Sequence, residues 1–63
     1  YSPSMFLRER RLAKARQILR NAPPGATISS VALACGFASH SAFSRLYRER
    51  FGEFPSQTLR NGG

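Results

Sequence analysis

Between residues 34 and 52 the chain reads ACGFASHSAFSRLYRERFG, and this stretch restricts the fold more than any other. A run of small and apolar residues stops at Gly36-Phe37. It passes through short polar side chains and restarts as a basic helical pattern. Glycine permits the left-handed backbone that ends one helix and turns the chain. Ala32, four residues earlier, is small enough to let a second helix come close. Phe37 is then placed to fill the angle between the two. Two short helices joined by such a turn make a helix-turn-helix with a steep crossing.

The rest of the sequence reads as further helices, with no convincing strand. A first helix is expected from about Pro3 to Arg20, with Ser2 as N-cap and Pro3 in the first turn. Leu12, Ala15, Ile18, Leu19 and Ala22 recur at three- and four-residue steps and mark its buried stripe. Arg8 and Arg11 fall near that stripe and must snorkel or reach a partner. Met5 and Phe6 lie to its side, where they would be exposed or packed against a segment outside this chain. NAPPGAT is a loop. Thr27 caps a short helix from about Ile28 to Cys35, whose inner face is Ile28, Val31, Ala32 and Cys35. Ser39 caps the next, from about His40 to Phe51, with Phe43, Leu46, Tyr47 and Phe51 inward and Gly52 as its stop. Pro55 opens a last short helix, and NGG reads as a frayed tail. Phe37, Phe43, Leu46, Leu33, Val31, Leu19 and Phe51 are the expected core.

A chain of 63 residues is enough for one small domain, or a piece of one, with a modest core. Its charge is lopsided: ten Lys and Arg against three Glu and no Asp, a formal net charge of +7. Nine of the ten cations are Arg, which forks onto phosphates and guanine edges, so a polyanionic partner is favoured. The outer face of the helix at 40–51 suits entry into a DNA major groove. Ser39, His40 and Ser41 are short enough for close approach, Ser44 and Arg45 can reach base edges, and Arg48 lies nearer the backbone. The plain alternative is an ordinary solvated helix face, with His40 a surface histidine beside a cap. Cys35 is the single cysteine, which excludes an intrachain disulfide and a cysteine-based metal cluster. It reads as a small buried hydrophobe. No apolar run reaches transmembrane length, and no signal-peptide pattern opens the chain.

SVALACGFASHSAFSRLYRERFGEFPSQTLR resembles the signature of the AraC/XylS family of bacterial transcription regulators. The matching residues are Ala32, Gly36-Phe37, Ser39, Phe43-Ser44-Arg45, Tyr47, Phe51-Gly52, Pro55-Ser56 and Arg60. Upstream, Ser2-Pro3, Phe6-Leu7, Arg11-Leu12, Ala15 and Ile18-Leu19 resemble the family's linker helix. The chain departs from the pattern at Ser30, where an acidic residue is common, and at Tyr47, where Phe is frequent. The resemblance implies an all-α fold: a homeodomain-like three-helix unit preceded by a long linker helix. It divides the chain into a linker helix at 1–22 and a helix-turn-helix subdomain at 23–63. The family's first helix-turn-helix and its effector domain would lie outside this chain.

By position, the resemblance makes His40, Ser41, Ser44 and Arg45 base-facing in double-stranded DNA. Thr27 and Ser39, at helix N-termini, would present backbone amides to phosphate, and Arg48 and Lys14 are further phosphate candidates. RNA polymerase is a compatible second partner. No cofactor or metal is implied, the expected location is the cytoplasm, and binding by this half-domain alone should be weak. An enzyme is disfavoured, because Glu9, Glu49 and Glu53 all read as exposed in basic surroundings and His40 has no acidic partner in sight. Two rival readings remain. One is a membrane-surface helix, since residues 5–20 are cationic and amphipathic. The other is a protein-contact module.

Overall fold

Four helices carry the chain in the order α1 (Pro3–Arg20), α2 (Ile28–Ala34), α3 (His40–Phe51) and α4 (Pro55–Gly62). The structure, a computed structural model, describes residues 2–62. The starts of the four helices and the ends of α2 and α3 have local chemical causes. Ser2 Oγ accepts from the Met5 amide and opens α1. Thr27 and Ser30 form a reciprocal capping box at α2, each side chain accepting from the other's amide. Ser39 Oγ accepts from the Ala42 amide at 3.1 Å and opens α3. At α4 the Gln57 side chain accepts from the Phe54 amide at 2.7 Å. Gly36 and Gly52 take φ of 87° and 79°, left-handed values that side chains resist, and they end α2 and α3.

α1 packs on α4 and α2, and α3 packs on α2 and α4. The core joins Leu12, Ala15 and Leu19 of α1 with Val31, Ala32 and Cys35 of α2, Phe37 of the turn, and Phe43 and Tyr47 of α3. Four rings run through it in sequence. Phe37 to Phe43 is 4.9 Å between centroids, Phe43 to Tyr47 is 5.6 Å, and Tyr47 to Phe51 is 4.7 Å. The tilted and edge-on geometry is the arrangement aromatic quadrupoles prefer. Tyr47 buries its hydroxyl as well, and donates it to Thr58 Oγ1 at 2.8 Å. Thr58 in turn donates to Glu53. This relay ties α3 to α4 and gives the departure from Phe at position 47 a polar partner.

The differences from expectation are small and physical. Leu33 is 69% exposed, not core. At about 100° per residue it lies on the side of α2 opposite Val31, Ala32 and Cys35, so helical phase overrides side-chain type. Leu46 and Phe51 are half-buried, packed at the edge of the core. α2 ends at Ala34, with Cys35 as its C-cap. The tail is not frayed through Asn61 and Gly62, which complete α4, and Gly63 lies outside the described residues. Glu53 is half-buried rather than exposed, because it accepts from buried Thr58. Met5 and Phe6 are exposed, as anticipated, and Leu7 joins them, so the first turns of α1 carry an apolar surface outside the core.

Candidate nucleic-acid interface

α3 is gripped on one side by the aromatic row and leaves the other side open. Ser41, Ser44, Arg45 and Arg48 stand at i, i+3, i+4 and i+7, the spacing that puts side chains on one helix face. Ser41, Arg45 and Arg48 are exposed, and Ser44 is half-buried at the rim. His40 is exposed at the first helical position, to the side of this row. The face is therefore narrow, with two short hydroxyls and two guanidiniums and no carboxylate among its four members.

The turn that aims α3 is braced from outside. The Arg11 guanidinium of α1 lies against Gly36, where an added Cβ would come within 3.1 Å of Arg11 Nε and 3.2 Å of its Cζ. This explains both the glycine and the arginine near the buried stripe. Phe37, next in the chain, is buried against Phe43. The direction of α3 is thus fixed from the turn as well as from its own inner face.

The phosphate candidates are more scattered. Ser39 stands exposed at the start of α3, its hydroxyl accepting from its own helix, which leaves the hydroxyl proton to donate. Thr27 is also exposed, but its amide already donates to Ser30 Oγ, so only its hydroxyl is available. Arg48 stacks over Phe54, 5.0 Å from guanidinium carbon to ring centroid. Lys14 sits apart, on α1 near Cys35, whose thiol pKa burial raises and the Lys14 charge partly lowers. Sequence reasoning missed Phe54 beneath Arg48. It also missed the ion pair from Arg50 Nε to Glu9 Oε2 at 2.6 Å, whose partners are 41 residues apart. Among the described residues no group of three His, Cys, Asp or Glu could hold a metal ion, and no helix is long and apolar enough to cross a membrane.

The comparisons agree with the fold. A family model described as a helix-turn-helix domain matches residues 1–61. The chain is 52% identical over 56 residues to the HTH-type transcriptional regulator CdhR of Pseudomonas aeruginosa, covering 89% of this chain and 16% of that one. It is 39% identical over 61 residues to the HTH-type transcriptional activator RhaS of Escherichia fergusonii, covering 97% of this chain and 21% of that one. It thus spans about a fifth or less of the curated relatives it matches. A crystal structure of a probable AraC family transcriptional regulator from Rhodopseudomonas palustris superposes with a TM-score of 0.91 at 40% identity, over 98% of this chain and 57% of that one. The chain belongs to the AraC family of bacterial transcription regulators, as a helix-turn-helix module.

Proposed function

We propose that α3 is the recognition helix and lies in the major groove, with Ser41, Ser44 and Arg45 against base edges and His40 at the groove wall. The observation that carries this reading is the i, i+3, i+4, i+7 row of hydroxyls and guanidiniums on the one face of α3 that the core leaves open. Arg45 is the principal reader, since a guanidinium can take guanine O6 and N7 together. Arg48, held over Phe54, reaches the phosphate backbone, with Ser39 and Thr27 adding hydroxyl contacts and Lys14 a more distant charge. The site of action is the cytoplasm, where the DNA is, and the role is binding rather than catalysis.

In this reading α1 is the linker from a first helix-turn-helix, residues 23–63 are the second unit, and an effector domain belongs to the same regulator. The support is the apolar Met5, Phe6 and Leu7 surface on the far end of α1, together with the greater length of the relatives. RhaS is named an activator, and the same role here would require contact with RNA polymerase. Exposed Leu33 on α2 is the apolar candidate for that contact. The test is selection of binding sites from a random duplex pool by the chain and by Arg45→Ala. If both enrich the same motif with the same information at every position, Arg45 is not the reader. If neither binds duplex DNA at low salt, the groove assignment fails.

A further inference from the structure

Seven arginines lie outside the recognition face, and three of them converge. Arg16 and Arg20, one turn apart on α1, and Arg50 near the end of α3 line a cleft of about 740 Å3 with Gln17, Asn21 and Phe51. The cleft looks away from the groove face. Arg50 follows Arg45 by five residues, which places it about 140° around the helix axis.

Convergence of three like charges is unfavourable unless anions meet them. Glu9 meets Arg50, and this is the one ion pair among the described residues. Glu53 lines a smaller cleft beside Arg16 and Arg20, where it accepts from the Thr58 hydroxyl and forms no ion pair with either guanidinium. Two of the cations are also held in place. The Arg16 and Arg50 guanidinium carbons lie 4.9 and 5.1 Å from the centroid of the same Phe51 ring. That ring is itself packed on Tyr47. A guanidinium resting on a ring keeps its N–H edge available, which for Arg50 means its Nη groups, because its Nε donates to Glu9, and part of the ordering cost is met before a ligand arrives. The negative end of α1, which would repel an anion, is blunted. The Asn21 amide and Nδ2 donate to its last carbonyls, and Arg20 stands in its final turn.

We propose that the Arg16–Arg20–Arg50 cleft binds a phosphate-ester or polyphosphate anion on the face opposite the recognition helix. A carboxylate has two oxygens and is satisfied by one or two guanidinium forks. A phosphate presents more oxygens in a tetrahedral array and can take forks arriving from two helices. The volume is within the range of small-molecule sites, about 300–1,000 Å3, but the lining is cationic rather than apolar. Two sources share this chemistry: a free polyphosphate or nucleotide, and the backbone of a second DNA segment.

The test is a titration of the chain with sodium pyrophosphate at low salt, followed by NMR of backbone amides and arginine Nε–H groups. The variants are Arg16→Gln with Arg20→Gln, and the charge-matched Arg8→Gln with Arg10→Gln. Circular dichroism checks that each is folded. We expect saturable shifts at Arg16, Arg20, Arg50 and Asn21, with affinity weakened about tenfold or more in the Arg16/Arg20 variant and far less in the Arg8/Arg10 variant. Equal weakening in the two variants overturns the site, as do shifts centred on residues 39–45 or no saturation by about 10 mM. A second arm measures how many short duplexes each chain binds. Two for the wild type and one for the Arg16/Arg20 variant assigns the cleft to a second DNA segment. One for both, with pyrophosphate binding present, assigns it to a free phosphoanion. The cleft can fail while the groove assignment of α3 stands, because none of these variants touches the recognition row.

Discussion

Arg48 differs from Arg45 in having an aromatic ring beneath it, and the two side chains should fail differently when removed. Arg45→Ala is expected to relax preference at one or two base pairs and to weaken the selected site by about 1–3 kcal/mol. Arg48→Ala should weaken all sequences alike and lower the salt slope by about one. Phe54→Ala removes only the platform, worth about 0.5–1 kcal/mol for an exposed cation–π contact, and should have no further effect once Arg48 is gone. Titrations of these variants against the selected and scrambled duplexes at several salt concentrations separate the three outcomes. In the core, burial pushes the Tyr47 phenol above its ordinary value, with the Thr58 hydrogen bond opposing, and burial raises the Cys35 thiol likewise. The folded chain therefore keeps protons that the unfolded chain releases. Stability should be full below the ordinary thiol value of about 8.5 and should fall as pH rises through it and through the phenol value of about 10. Denaturant midpoints across that window check the sign, and Tyr47→Phe should remove the phenol's share of the decline.

At the level of elements, the two left-handed glycines make a controlled pair. Gly52→Ala meets open space and should cost only the backbone penalty, about 1–2 kcal/mol. Gly36→Ala has the same penalty and must also displace the Arg11 guanidinium, so it should be the more destabilising. In an Arg11→Ala background the difference between the two glycine variants should shrink. Thermal melts of the four proteins measure it. Ser39→Ala should cost about 0.5–2 kcal/mol through loss of the cap. The helices were legible in the sequence because their ends are set by neighbours a few residues away: Ser2, Thr27, Ser39, Gly36 and Gly52. The row on α3 was legible for the same reason, as helical spacing is local. Leu33 was misjudged by weighting residue type over helical phase. The Arg11 brace, the Glu9–Arg50 pair, the Tyr47–Thr58–Glu53 relay and the Phe54 platform have no such local mark. Each depends on where two separate elements come to rest.

The molecule as a whole has little margin. At about 0.05–0.15 kcal/mol per residue, a chain of this size is stable by roughly 3–9 kcal/mol. Phe43 is fully buried and touches both neighbouring rings of the row, so Phe43→Ala should cost about 3–5 kcal/mol, a third or more of that total. Denaturant unfolding of the two proteins measures the loss, and a cost below about 1 kcal/mol would contradict the account of the core. α1 adds a property of a different kind. It runs unbroken from Pro3 to Arg20, its buried residues begin at Leu12, and exposed Met5, Phe6 and Leu7 ride on the turns before them. A helix is a screw thread, so anything seated on those three side chains is indexed to α3 by a count of residues. One alanine inserted between Leu7 and Arg8 would swing that seat by about 100° while advancing it only about 1.5 Å. Four would bring it back to within about 40° of its starting angle, now about 6 Å further along. Tolerance to insertion in this helix is a matter of phase before it is one of distance.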